Sequence, residues 1–241
     1  MQDRGLAAYI AELVGTFILV FVIGTVVSLY AAGGSDAQFG SDYAVIGLVQ
    51  AFALFLVIQT IAAVSGAHVN PAVTFAAFLL KRIDGIDSII YTLAQLAGGV
   101  LGALLVKALL DDEGAINNYG ALDVSPILAS DFAGMIVEMF GTFFWVLAVV
   151  AVALNPRAWR DWAPLVIGTT FGFAVMVFAP LTGAGFNPAR WLGPALVGDD
   201  FGGVWPYLVG PALGAVLAVL FYKFVIEAGE PEGEPEKAPG T

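Results

Sequence analysis

The 241-residue chain has no cysteine, one histidine and four lysines, and each shortage closes off a class of chemistry. Without Cys there is no disulfide framework, no thiolate metal site and no cysteine nucleophile. His68 alone cannot make a His-rich metal cluster, so neither a metal nor any other cofactor is expected. Charged residues make up 12% of the chain, with 20 Asp and Glu against 9 Lys and Arg and a formal net charge of −11. That balance argues against nucleic acid as a partner, because a phosphate backbone calls for clustered Lys and Arg. No nucleophile stands beside a base and no glycine loop is spaced to cradle phosphate, so the chain does not read as an enzyme.

Apolar residues fill the gap. The chain is 59% hydrophobic with a mean hydropathy of +0.89, which is the composition of a membrane protein. A hydrocarbon layer about 30 Å thick takes roughly 20 apolar residues per helical crossing. Six stretches qualify: Leu6 to Tyr30, Tyr43 to Val64, Ile86 to Leu110, Asp131 to Leu154, Ala163 to Leu181 and Val204 to Ile226. They are continuously apolar rather than alternating, which disfavours a β-barrel and predicts an all-α membrane protein. The first lacks the basic flank, short core and small-residue cleavage site of a signal peptide and is expected to remain as a span.

Arg4, Lys81, Arg82, Arg157, Arg160, Lys223 and Lys237 fall on one side of this topology. The loops at Asp36 and Asp42, from Asp111 to Asp123, and at Asp199 and Asp200 are acidic, so both termini are expected in the cytoplasm of a cell-membrane protein. Lys107, at the outer end of the third span, can snorkel to the interface. Residues 227–241 hold five Glu and three Pro and read as an acidic, disordered cytoplasmic tail. Trp145, Trp159, Trp162 and Trp205 read as interface belt and packing.

The remaining 1–226 read as one domain built from an internal duplication, with repeats at about 6–110 and 131–226. Ala11-Glu12-Leu13-Val14-Gly15-Thr16-Phe17 matches Val137-Glu138-Met139-Phe140-Gly141-Thr142-Phe143. Val45-Ile46-Gly47 matches Val166-Ile167-Gly168, Gly66-Ala67-His68-Val69-Asn70-Pro71-Ala72 matches Gly183-Ala184-Gly185-Phe186-Asn187-Pro188-Ala189, and Leu101-Gly102-Ala103 is paired with Leu213-Gly214-Ala215. The offsets fall steadily through 126, 121, 117 and 112. Three spans per half is an odd number, so the second repeat enters the bilayer from the opposite face.

The Asn70-Pro71-Ala72 and Asn187-Pro188-Ala189 pair is the sharpest signal. Asn is a preferred N-cap and Pro is favoured at the first helical position, so each motif reads as a helix start. About eleven apolar residues follow, roughly 16 Å, enough to reach from mid-membrane to one surface. The inverted halves then place two re-entrant half-helices tip to tip at the bilayer centre. Their non-helical leaders, Ser65 to Val69 and Thr182 to Phe186, are tolerable there only along a polar path.

With Glu12 and Glu138 in the first helix of each half and Tyr91 to Gln95 in the third span, these motifs resemble the aquaporin, or major intrinsic protein, family over about residues 6–226. The resemblance implies six transmembrane helices plus two half-helices, a pore through each subunit and a homotetramer. It implies a passive channel for water, with small uncharged solutes such as glycerol as further substrates and membrane lipid as surroundings. Asn70 and Asn187 would each cap a half-helix with the amide oxygen and offer an amide N–H to a passing oxygen. The two helix N-termini, carrying about half a positive charge each, would oppose cations and proton hopping.

By the same resemblance the selectivity filter falls at Gln50, Val175, Ala184 and Arg190, with Arg190 facing the aqueous path. Strict water channels usually place an aromatic and a His at the first two of these, so a wider, less polar opening is implied. Trp191 stands where glycerol facilitators carry an Asp. Gly66, His68, Gly183 and Gly185 would line the path with backbone carbonyls or ring, and Glu12 and Glu138 would brace the re-entrant linkers. Two other classes stay open. A proton-coupled transporter also uses inverted repeats with broken helices and would need Glu12 or Glu138 to face its substrate; a membrane protein serving adhesion or assembly would make Arg190 and both Asn replaceable.

Overall fold

A helix that crosses hydrocarbon satisfies its own backbone, and six helices of the computed structural model are long and apolar enough to do so. They run Gly5–Tyr30, Asp42–Ser65, Gly85–Leu109, Asp131–Leu154, Ala163–Thr182 and Val204–Glu227, each end within one residue of the span expected from sequence. The structure describes residues 5–32, 41–158 and 160–229. Arg4, Asp36, Trp159 and most of the acidic tail, 230–241, lie outside the described residues, and the expectations that fall on them stay there.

In chain order the helices are α1 (Gly5–Ala32), α2 (Ser41–Ser65), α3 (Pro71–Leu79), α4 (Gly85–Leu109), α5 (Asp111–Ala115), α6 (Asp131–Val149), α7 (Ala163–Thr182), α8 (Pro188–Gly198) and α9 (Val204–Phe221). Among the described residues there is no strand. α6 and α9 continue as π-helical turns over Val150–Leu154 and Tyr222–Glu227. α3 and α8, of nine and eleven residues, are the half-helices. At 1.5 Å per residue they are about 14 and 16 Å long, half a bilayer each.

α1 packs along α4 and α6 along α9, while α2 and α7 cross at the centre. α8 lies against α4 and α3 against α9. Exchanging α1, α2, α3 and α4 for α6, α7, α8 and α9 reproduces this pattern, which is the inverted 3+3 repeat. Small residues permit the close approach. A Cβ on Gly98 would strike the Leu13 carbonyl oxygen, and one on Gly214 would strike the Met139 carbonyl oxygen. On the central pair, a Cβ at Gly47 or Gly168 would press on the backbone oxygens of Gly172 or Ala51.

These contacts correct one step of the repeat alignment. Leu13 and Met139 are equivalent, so Gly214 corresponds to Gly98 and not to Gly102. Tyr91 and Tyr207 agree: each donates its hydroxyl to the carbonyl that ends the preceding span, at Ser65 and Thr182, both at 2.8 Å. The sequence match of Gly102 with Gly214 was thus one helical turn out of register, because small residues recur every four positions along α4 and look alike. Substituting Val at Gly98 or at Gly214 should destabilise the protein by about 1–3 kcal/mol through overpacking against rigid backbone. The measurement is survival of the monodisperse peak after heating in detergent. Gly85→Ala, where the nearest atom to the new Cβ is 3.8 Å away, is the control.

Candidate functional site

The residues between α2 and α3, and between α7 and α8, take a backbone that side chains disfavour. Gly66, Ala67 and Val69 have φ of 89°, 49° and 43°, and Gly183, Ala184 and Phe186 have 71°, 54° and 52°. Left-handed φ at a β-branched Val and a bulky Phe is strained, on the order of 1–3 kcal/mol each. Two buried acids hold the strained segments. Glu12 Oε1 accepts from Ser65 Oγ at 2.6 Å and the His68 N–H at 2.9 Å, and its Oε2 accepts from the Val69 N–H and Gln95 Nε2, both at 2.7 Å. Glu138 Oε1 accepts from Thr182 Oγ1 at 2.6 Å and the Gly185 N–H at 2.9 Å, and its Oε2 from the Phe186 N–H at 2.6 Å. Gly15 and Gly141 leave room beside them for the Val69 and Phe186 side chains.

Each linker ends in an Asn cap. Asn70 Oδ1 accepts from the Ala72 N–H at 2.7 Å, and Asn187 Oδ1 accepts from the Ala189 and Arg190 N–H groups at 2.9 and 3.3 Å, with Pro71 and Pro188 at the helix starts. The amide nitrogens cross between the halves. Asn70 Nδ2 donates to the Phe186 carbonyl at 2.9 Å and Asn187 Nδ2 donates to the Val69 carbonyl at 3.0 Å. The two half-helices therefore meet at their N-terminal tips. This amends the expectation that the amides are free for a solute: each spends one N–H on the other half, and one N–H per Asn remains.

Two cavities lie at opposite ends of the crossed α2 and α7. One, of about 330 Å³, is lined by Leu54, Ile58 and Ala62 of α2, by Ala163 and Ile167 at the start of α7, and by Gly66, His68, Trp145 and Arg160. The other, of about 250 Å³, is lined by Tyr43, Ile46 and Gln50 of α2, by Ala179 and Gly183 at the end of α7, and by Asn117, Leu122 and Arg190. Ile46, Gln50, Leu54, Ile58 and Ala62 recur every four residues, so a single face of α2 serves both. Gln50 and Leu54 are one turn apart, about 6 Å along the axis. Between the cavities α7 contributes Phe171 and Val175, which are buried in the main apolar cluster.

Of the residues expected together, Gln50, Gly183 and Arg190 share the second cavity and Gly66 and His68 the first. Val175 and Ala184 line neither and sit in the apolar cluster. Val175 is one turn below Ala179 on the same face of α7. Gly185 lines neither cavity; its N–H is taken by Glu138, and Leu122 and Tyr207 crowd the place of a Cβ. His68 Nδ1 lies 3.2 Å from Thr74 Oγ1, and its ring stands edge-on to Tyr91. Trp145 packs on Phe171 and lines the first cavity, whereas Trp162 and Trp205 are exposed at span starts.

Residues 116–122 contribute what the sequence reading missed. Arg190 is 3% exposed, and its Nη1 donates to the Gly120 carbonyl at 2.7 Å. Asn118, Tyr119 and Gly120 hold left-handed φ of 51°, 58° and 87°, and the run Asn-Asn-Tyr-Gly was a turn signal available beforehand. The Tyr119 hydroxyl donates to Asp111 at 2.9 Å, and that hydrogen bond pushes its pKa up. Lys107 places its ammonium 5.0 Å above the Tyr119 ring, a cation–π contact beyond the snorkelling expected of it.

Paired half-helices, buried bracing acids and stacked cavities within an inverted six-span bundle define a membrane protein of the channel type. The model of the family described as "Major intrinsic protein" matches residues 2–222, and the chain belongs to that family. A probable aquaporin of Arabidopsis thaliana is 36% identical over 91% of this chain and 83% of its own length. A probable aquaporin of Archaeoglobus fulgidus is also 36% identical, over 90% and 96%. A protein of Lactiplantibacillus plantarum named glycerol uptake facilitator protein-like 6 is 35% identical over 87% and 94%. Among solved structures, the aquaglyceroporin from Plasmodium falciparum aligns with a TM-score of 0.75 at 25% identity, over 92% of this chain and 96% of that one.

The bracing makes an unequal prediction for the two acids. Gln keeps the shape but turns one acceptor into a donor facing donors. At Glu12 either orientation leaves two donors opposed; at Glu138 the amide can be placed against the Phe186 N–H alone. Glu12→Gln should therefore lower stability more than Glu138→Gln, by about 1–3 kcal/mol for each donor left unsatisfied. Comparing midpoints of thermal unfolding in detergent checks the order, and equal midpoints would contradict it.

Proposed function

We propose that this protein is a passive transmembrane channel that conducts water and small uncharged solutes such as glycerol while excluding protons and ions. The observation that carries the reading is the tip-to-tip meeting of two Asn-capped half-helices between two cavities on one face of α2. The path runs along that face, past His68, the Asn pair and Gln50, to Arg190. The remaining N–H of Asn70 and of Asn187 orients an oxygen at the midpoint, and the N-termini of α3 and α8 raise the energy of any cation there. Arg190 adds a full charge on the same path. Gln50 and Arg190 line the cavity and carry the filter's polar contacts, with Val175 and Ala184 behind them in the apolar cluster as its remaining two positions.

Residues 1–226 act as one channel domain made of the repeats 6–110 and 131–226, followed by the acidic tail 227–241. Arg160 borders the His68 cavity, so the end carrying Lys81, Arg82, Arg157 and Lys223 faces the cytoplasm together with both termini. The functional unit is a homotetramer in the cell membrane, each subunit with its own path. A proton-coupled transporter would need an acid on that path. Glu12 and Glu138 are fully buried, line neither cavity and are committed to the linkers.

In liposomes carrying the purified protein, stopped-flow light scattering should show fast volume change that follows the osmotic gradient and ignores a pH gradient. Saturating, pH-driven flux would refute the channel reading. Arg190→Val should admit a cation conductance absent from the wild type. Replacing Gln50 with Phe and Val175 with His should narrow the filter and lower the glycerol-to-water permeability ratio by about ten-fold, the size of a one-methylene misfit in a pocket. An unchanged ratio would mean that the filter lies elsewhere.

A further inference from the structure

The Arg190 cavity is bordered by three side chains whose buried polar atoms find no partner among the described residues: Gln50 Oε1, Arg190 Nε and Asn117 Nδ2. Gln50 is 2% exposed and Arg190 3%, so these are internal groups and not surface ones. A buried polar atom left unmatched is costly unless something that enters the site matches it. Asn117 comes from the turn after α5. Its Oδ1 accepts from the Gly120 N–H and from Ser28 Oγ, each at 3.3 Å, and the Gly120 N–H, which can only donate, fixes which end of the amide is oxygen. The NH₂ end then stands without a partner on a residue lining the cavity.

The same cavity is also bordered by apolar side chains, Val27, Ile46, Leu122 and Ala179. The cavity therefore pairs donors and an acceptor with a hydrocarbon wall. Its volume of about 250 Å³ exceeds the roughly 30 Å³ that one water occupies in the liquid, so there is room for a molecule larger than water. A vicinal diol fits this pattern better than water does. One hydroxyl oxygen can accept from Asn117 or Arg190, a hydroxyl proton can go to Gln50, and the C–H edge can lie on the apolar wall.

We propose that Asn117 is a specificity-determining residue of the Arg190 cavity, and that its amide N–H selects small polyols by donating to a hydroxyl oxygen. The proposal rests on the channel reading above and adds a residue outside the four filter positions. Asn117 also touches the loop that holds Arg190, through the Gly120 N–H, so the test must separate donation from positioning.

Full-length protein in liposomes is assayed for water and glycerol permeability and for cation leak, as wild type, Asn117→Ala and Asn117→Asp. Asp retains the acceptor for the Gly120 N–H and has no N–H to give. Both variants should lose about three- to ten-fold in glycerol permeability, the worth of one hydrogen bond, while water permeability stays within about two-fold. In the Ala variant, which adds no charge, cation leak should stay at the wild-type level, because Arg190 remains on the Gly120 carbonyl. Should Ala collapse the turn and abolish water flux too, the Asp variant decides. An unchanged glycerol-to-water ratio in Asp overturns the proposal, as does a rise in cation leak in the uncharged Ala variant, which would assign Asn117 to holding Arg190. A wild type that passes water but no glycerol also overturns it, whereas one that passes neither defeats the channel reading itself.

Discussion

A helix broken in the middle of a bilayer leaves backbone N–H groups with no water to turn to, and the rest of this fold is arranged around that need. The need is met by Glu12 and Glu138, each buried at the same level of its repeat and each accepting the N–H groups of two consecutive linker residues. Acceptors this strong hold Val69 and Phe186 in a backbone region that neither would choose. Once the linkers are fixed, Asn70 and Asn187 are aimed, and α3 and α8 start at the centre of the bundle and not at its edge.

The two halves repeat this design without repeating its chemistry. Register set by Tyr91 and Tyr207 puts Gln95 opposite Pro211, and register set by the two Asn-Pro-Ala motifs puts Thr74 opposite Trp191. Gln95 Nε2 donates to both Glu12 and Thr74 Oγ1, closing the first half with an extra polar link. Pro211 has no such donor, and Trp191 instead stacks on Tyr207, its Nε1 without a partner among the described residues. The more loosely satisfied half carries Arg190, and the turn from Asn117 to Gly120 supplies the contact that half lacks internally. Polar demand is concentrated where a solute must be told apart and kept low where it need only pass.

Much of this was legible in the chain itself. Hydropathy located the six spans because lipid tolerates only long apolar helices, and duplication located the half-helices because Asn-Pro marks a helix start twice. The roles of Glu12 and Glu138 followed from their equivalent positions together with the resemblance to the family. What escaped depended on backbone geometry that side-chain identity does not encode. The glycine register between α4 and α9 slipped by one turn because small residues recur with the helical period. Val175 and Ala184 were placed by counting from a motif, and counting cannot say which face of a bent linker or helix meets a cavity. The turn at Asn117 was passed over as part of an acidic loop, although its Asn-Asn-Tyr-Gly run signalled a left-handed return of the chain toward the bundle.

The crossed amides at the centre also set the order in which the molecule can be made. Asn70 closes onto a carbonyl 116 residues ahead of it, and Asn187 reaches back 118. A growing chain therefore inserts its first three spans with an unfinished tip, whose mate has not yet been synthesised. Until the later half arrives, that tip has to be sheltered by water or by the insertion machinery. Each repeat thus completes the polar tip of the other, and the central junction closes only when both are in place.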